Sequence, residues 1–250
     1  AGLGSGTVGF RLINKEVIKM QKRTLWVIVF CLGLLALSAC TWVGQPAALE
    51  EIISSADCTA PCWRGIMPGV TTFAEAQTLV QAMQDPASGA PTPAYVGVIE
   101  TAQTLLVYFD QPEVNVDLHA DSQGLISDIS FNFESLKPGQ RFKLGEMIDR
   151  FGEPDALHVC HEQAEMRRAV VRVVYPQIEM TFEQELPSDE TTFSVAYTKN
   201  TRLNTLTYYA PRQIPGCDFS APWAGYGEVS FSLDTEAEDS GTFCPLESKP

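Results

Sequence analysis

Polar and apolar residues alternate with a period of two over several short stretches of the chain. In "EVNVDLHAD", Val114, Val116 and Leu118 alternate with Asn115, Asp117 and His119. In "QIEMTFEQE", Ile178, Met180 and Phe182 alternate with Gln177, Glu179, Thr181 and Glu183. Successive strand residues point to opposite faces, so this pattern predicts strands with one face buried and one in water. "TLLVYFD" (104–110), "GLISDISFNF" (124–133), "AVVRVVYP" (169–176) and "RLNTLTYYA" (202–210) read as further strands. Such strands are expected in an antiparallel meander that carries helices on one side.

The period changes before each trio of strands. In "MPGVTTFAEAQTLVQAMQDPA" (67–87), Ala76, Leu79, Val80 and Met83 are spaced by three and four, as on one helical face. "KPGQRFKLGEMIDRFGEPDA" (137–156) places Leu144, Met147, Ile148 and Phe151 in the same way, 68 positions later. Both stretches open with Pro-Gly and close with an acidic residue, proline and alanine. Thr72 and Glu75 form a capping-box pattern ahead of the first helix. The second has no such pair, and Gly145 lowers its helix propensity. The expected architecture is α+β: two tandem units, each a helical segment followed by about three antiparallel strands, with helices on one face of the sheet. The first unit spans residues 57–135 and the second 136–211, with a C-terminal segment at 212–250.

One apolar run fits neither pattern. Leu25 to Ala39 carries no charge, and as a helix it would be roughly 22 Å long, short of the ~30 Å hydrocarbon core of a bilayer. Lys22 and Arg23 precede it and "LSAC" closes it, which are the marks of a bacterial export signal. Met20 is the natural initiator, so residues 1–19 read as an upstream extension and 20–39 as the signal. Residues 40–56 then form a short tether and helix.

Two resemblances sharpen this reading. Leu37-Ser38-Ala39-Cys40 resembles the lipobox of bacterial lipoproteins. That resemblance implies cleavage between Ala39 and Cys40, with Cys40 becoming a lipidated N-terminus tethered to a membrane. "PGQRFKLGEMIDRFGEPDALHV" resembles the helix-and-turn signature of the SmpA/BamE outer-membrane assembly lipoproteins. It is also similar to the tandem fold of the β-lactamase-inhibitor protein. In that signature Gly152-Glu153-Pro154 ends the helix and leads into a strand. Families of this fold work through the solvent face of the sheet, so the resemblance points to Asn115, Asp117, His119, Glu179, Thr181 and Glu183 as a binding face. The implied partner is an envelope protein.

Charge narrows the partners further. The whole chain has 17 Lys and Arg against 31 Asp and Glu. Losing residues 1–39 removes five basic residues and one acidic, leaving 12 against 30 and a net charge of −18. Such a surface repels nucleic acid, so no nucleic-acid partner is expected, and a basic or polar partner fits better.

Outside the cytoplasm, cysteines tend to pair. Beyond Cys31 and Cys40 the chain has Cys58, Cys62, Cys160, Cys217 and Cys244. The favoured pairs are Cys58–Cys62, a local clasp, and Cys217–Cys244, which closes about 28 residues at about 3–4 kcal/mol. Cys160 is then the odd thiol, inside "HVCHE" (158–162). No second ligand pair at a matching distance accompanies that cluster, so no metal and no cofactor is expected.

The histidines are His119, His158 and His161, and no Gly-x-Ser-x-Gly, HExxH or phosphate loop is present. Cys160 and His161 are sequence neighbours, which a strand turns to opposite faces. The chain therefore reads as a binding protein with no catalytic residues rather than an enzyme. A thiol- or metal-dependent enzyme using Cys160 and His161 is the remotest alternative. A small-ligand protein is the other, with Trp223 and Tyr226 of "APWAGYGEVSF" as pocket candidates. Aromatics gathered in a pocket on the open face would favour a ligand, and a flat polar face a protein.

Overall fold

The computed structural model describes residues 45–54, 58–85, 91–162, 168–186, 192–211, 219–233 and 243–245. Residues 1–47 and 48–250 are separate compact units, and of the first only Gln45–Ala47, the start of a helix, is described. The export signal, Ala39, Cys40 and Cys217 lie outside the described residues. Among the described residues no helix is long and apolar enough to cross a membrane.

The fold is mixed α+β and mostly strand. Among the described residues the α-helices are α1 (Gln45–Ile53), α2 (Phe73–Ala82) and α3 (Leu144–Phe151). The strands are β1 (Tyr95–Ile99), β2 (Thr104–Asp110), β3 (Glu113–Ala120), β4 (Ile126–Asn132), β5 (Ala156–Glu162) and β6 (Arg168–Val174). They continue with β7 (Ile178–Glu185), β8 (Thr192–Tyr197), β9 (Thr205–Tyr209), β10 (Phe219–Pro222), β11 (Gly227–Leu233) and β12 (Phe243–Pro245). Nine strands form one sheet in the order β1-β2-β3-β4-β9-β7-β6-β5-β10, and every pairing is antiparallel. A three-stranded sheet, β12-β11-β8, stands beside it.

The alternating residues of β3 and β7 sit as their pattern requires. Val114, Val116, Leu118, Met180 and Phe182 are buried, along with Val107, Phe131, Leu206 and Val171 from neighbouring strands. Onto this face pack Leu49, Ile52 and Ile53 of α1, Ala76 and Val80 of α2, and Leu144 and Met147 of α3. Trp63, fully buried, meets Phe131 edge-on with ring centroids 5.6 Å apart, and its indole N–H donates to the Ile52 carbonyl at 2.7 Å. Phe131 in turn meets Tyr208 of β9 at 5.4 Å, so the β4–β9 seam lies beneath an aromatic stack.

The caps differ as the sequence leads one to expect. At α2 the Thr72 hydroxyl accepts from the Glu75 N–H while the Glu75 carboxylate accepts from the Thr72 N–H. At α3 only the second half exists: Glu146 accepts from the Lys143 N–H, and lysine has no oxygen to reciprocate. Gly145 has a tertiary reason. A Cβ there would lie 2.8 Å from the Lys199 Cβ and 2.9 Å from its carbonyl oxygen, so only glycine lets α3 approach that turn. Gly152 caps α3 with φ +86°, a left-handed value that favours glycine.

Some sequence expectations are corrected. The large sheet holds more strands than expected, because Tyr95–Ile99 pairs with β2 and Ala156–Glu162 with β6. Leu79 is 37% exposed instead of facing the core. After β7 the chain leaves the large sheet to form β8, whose Phe193, Val195 and Tyr197 enter the core, before returning as β9. Past residue 211, β10 extends the large sheet next to β5, and β11 pairs with β8.

Candidate functional site

Everything that enters the core from the helices and β8 meets one face of the large sheet, which leaves the other face as the place to look for a site. Its side chains line up in cross-strand rows. One row crosses all nine strands: Tyr95, Tyr108, Asn115, Asn132, Thr205, Thr181, Arg172, His158 and Ser220. At about 4.8 Å per strand it is about 38 Å wide. The next row contains Gly97, Leu106, Asp117, Ser130, Thr207, Glu179 and Val174. All six residues expected from β3 and β7 therefore share one face, separated by β4 and β9.

Hydroxyl pairs hold the middle of this face. Ser130 and Thr207 are hydrogen-bonded at 3.1 Å, and Thr181 and Thr205 at 2.7 Å. These pairs tie β4 to β9 and β9 to β7 by their side chains as well as by the backbone ladder.

Toward β6 the charges are matched. Glu179 is only 3% exposed; it accepts from the Tyr209 hydroxyl at 3.3 Å and faces the Arg172 guanidinium at 3.6 Å. It lies too deep to serve as a contact for a partner. Burial, with the Glu179 charge adding to it, pushes the Tyr209 hydroxyl up to about 12. Arg168 donates to Glu183 at 3.0 Å. Both ion pairs run diagonally across β6 and β7, since the register sets Arg172 opposite Thr181 and Arg168 opposite Glu185. A polar cleft of ≈ 370 Å³ opens at that end, lined by Glu134, Arg141, Arg168, Glu183, Glu185 and Asn204. Arg141 is occupied as well, donating to the Leu136 and Glu134 carbonyls and to Asn204.

Toward β1 the picture changes. A cleft of ≈ 440 Å³ is lined by Tyr95, Leu106, Val107, Tyr108, Asn115, Asp117 and Asn132. Asp117 makes no hydrogen bond or ion pair with any described residue. Its carboxyl is held above the usual range, first by burial and further by the negative charge of Asp128, with His119 opposing. His119 takes part in a 3.0 Å hydrogen bond between its Nδ1 and the Thr104 hydroxyl, and its Nε2 stands 4.0 Å from Asp128.

The cysteines are partly described. Cys58 and Cys62 are joined, with the sulfurs 2.07 Å apart. Cys160 is disulfide-bonded and not the odd thiol the sequence suggested, which removes the thiolate from any pairing with His161. Cys244 is described only as backbone, opposite Ser232 in β12. His158 lies beside Arg172, and burial and that guanidinium both lower its pKa. Among the described residues no three His, Cys, Asp or Glu side chains gather as a metal site. Trp223 lies against Tyr197 with centroids 5.5 Å apart and meets Tyr226 at 5.8 Å. These rings pack beside the second sheet, not on the open face.

The residues that sequence reasoning missed are Tyr95, Tyr108, Asn132, Arg168 and Arg172. The arginines had a signal: "RAVVRVV" and "IEMTFEQE" flank a tight turn, and folding one onto the other brings their charges together. Comparison with protein-family models, with characterised proteins and with solved structures gives no match.

Proposed function

We propose that the chain is an exported bacterial lipoprotein, anchored through Cys40 on the extracytoplasmic side of a membrane, and that it binds an envelope protein without catalysis. The observation that carries the binding role is the polar row across the nine strands, on the face opposite the described helices. An antiparallel sheet needs only one covered face, and a second face this wide and hydrogen-bonding is suited to a macromolecular partner. The lipobox and the basic, apolar run before it support the anchor. The strand order supports a tandem reading, with β1-β2-β3-β4 on one side of the β4–β9 seam mirrored by β5-β6-β7-β9 on the other. Each set follows a helix that ends near an acidic residue and proline.

The test is expression from Met20 with a photoreactive residue replacing Thr205, in the middle of the row, or Leu79, on α2. The membrane-fraction protein is then weighed intact. The reading expects a mass of Cys40–Pro250 plus acyl chains, and adducts to an envelope protein from position 205 and not from 79. A soluble or uncleaved chain would overturn the anchor. Adducts from position 79 alone would overturn the face.

A further inference from the structure

Resting on that reading of the open face, we infer that the cleft over β1–β3 is a site for a cationic side chain, lysine or arginine, presented by the docking protein. Its shape begins with a missing side chain. On β1 the open-face positions are Tyr95, Gly97 and Ile99, and the Tyr95 ring folds over Gly97. A Cβ at position 97 would lie 2.5 Å from the Tyr95 hydroxyl, so glycine is what lets the ring lie there. Tyr95 is nevertheless 58% exposed, which leaves ring surface free for a ligand. Leu106 and Tyr108 supply the rest of an apolar and aromatic lining suited to an aliphatic stem.

The carboxylate in that lining is Asp117. It lacks a hydrogen bond or ion pair from described residues, and burial and Asp128 disfavour its ionised form more than His119 favours it. His119, which opposes that shift, is itself engaged by Thr104 and Asp128. The arginines of this face, Arg168 and Arg172, stand on β6 against Glu183 and Glu179. A cation entering the cleft would meet a carboxylate without an ion-pair partner and tyrosine rings, the two groups that favour a charged nitrogen in a partly dry site. A neutral sugar would also stack on the rings, but it would leave the half-buried charge uncompensated. The exported chain's net charge of −18 draws basic partners toward the face.

The test is an NMR titration of the full chain in detergent with N-acetyl-lysine methylamide and N-acetyl-arginine methylamide. N-acetyl-norleucine methylamide and methyl β-glucoside serve as uncharged contrasts. The expected result is saturable shifts of the amides of residues 95–97, 106–108 and 115–117 with the two cations only. Asp117→Asn is expected to weaken binding at least tenfold and Tyr95→Ala several-fold. Equal shifts with norleucine or the glucoside, or full binding by Asp117→Asn, would overturn the inference. If Asp117→Asn does not fold, Tyr95→Ala decides, and unchanged affinity in that variant overturns the site. Adducts from position 205 without any cation binding would sink this site and leave the proposed function standing. Cation binding without such adducts would do the reverse.

Discussion

On β3 the outward carboxylate of Asp117 makes no ion pair with a described residue, whereas on β7 those of Glu179 and Glu183 each meet an arginine from β6. Both strands have the same alternation and the same open face. The difference lies in what their neighbours offer. β6 brings Arg168 and Arg172 across the ladder, while β2 brings Leu106 and Tyr108. The β5–β7 side satisfies its own charges, as a structural surface does. The β1–β3 side leaves a half-buried charge among aromatic rings, which weakens the fold slightly and is explicable as a site awaiting a ligand.

The comparison presumes that both sides are one folded unit, joined at the seam under Trp63 and Phe131. Trp63→Ala removes the fully buried ring and its bond to α1, and is expected to cost about 3–5 kcal/mol. For a chain of this size that lowers Tm by roughly 10 °C. A single cooperative transition in calorimetry is expected, and two separated transitions would break the comparison by making the sides independent.

Arg172→Ala tests the matched side. It leaves Glu179, 3% exposed, with the Tyr209 hydroxyl but without its cation, at a cost of about 2 kcal/mol. The figure falls below that for a fully buried pair because Arg172 is partly exposed. Denaturant unfolding at pH 7 reads it, and Arg172→Met combined with Glu179→Met should recover most of the loss.

The two helix caps extend the contrast from the sheet to α2 and α3. Thr72→Ala breaks a reciprocal pair and is expected to cost about 1 kcal/mol, whereas Glu146→Ala breaks a one-way cap bond and an exposed ion pair with Lys143 and should cost about 0.5 kcal/mol. Urea midpoints of the two variants, at constant slope, give the ordering.

Asp117→Asn has the smallest expected effect, and its sign is opposite. Because burial raises the folded-state pKa of this carboxyl, the native chain holds the proton more tightly than the unfolded one. Asp117 therefore makes stability fall as pH rises from the ordinary carboxylate range through the raised folded-state value. Asp117→Asn should be neutral or slightly stabilising at pH 7, and should flatten that part of the Tm-versus-pH curve.

Much of this was legible in the sequence. The six strands β2, β3, β4, β6, β7 and β9 showed themselves because each buries one face and wets the other. Thr72 with Glu75 announced α2, and Gly152 with Pro154 announced the end of α3. β1 escaped because "AYVGVIE" mixes apolar residues on both faces, with Tyr95, Val98 and Ile99 all exposed at the sheet edge. β8 escaped because its destination is a second sheet formed with β11, more than 30 residues away, which local pattern cannot encode. The binding-face candidates were found by parity alone, and parity does not distinguish Glu179 from Asp117. That distinction comes from cross-strand neighbours, and hence from the register.

The central claim is that the open face binds through its β1–β3 side. The direct measurement places the photoreactive residue at Asn115 in one chain and at Thr181 in another, three strands apart in the same row. Both are crosslinked in intact cells. The account predicts that adducts to an envelope partner form mainly from position 115 and are lost on adding Asp117→Asn. Adducts mainly from position 181, unaffected by Asp117→Asn, would contradict it.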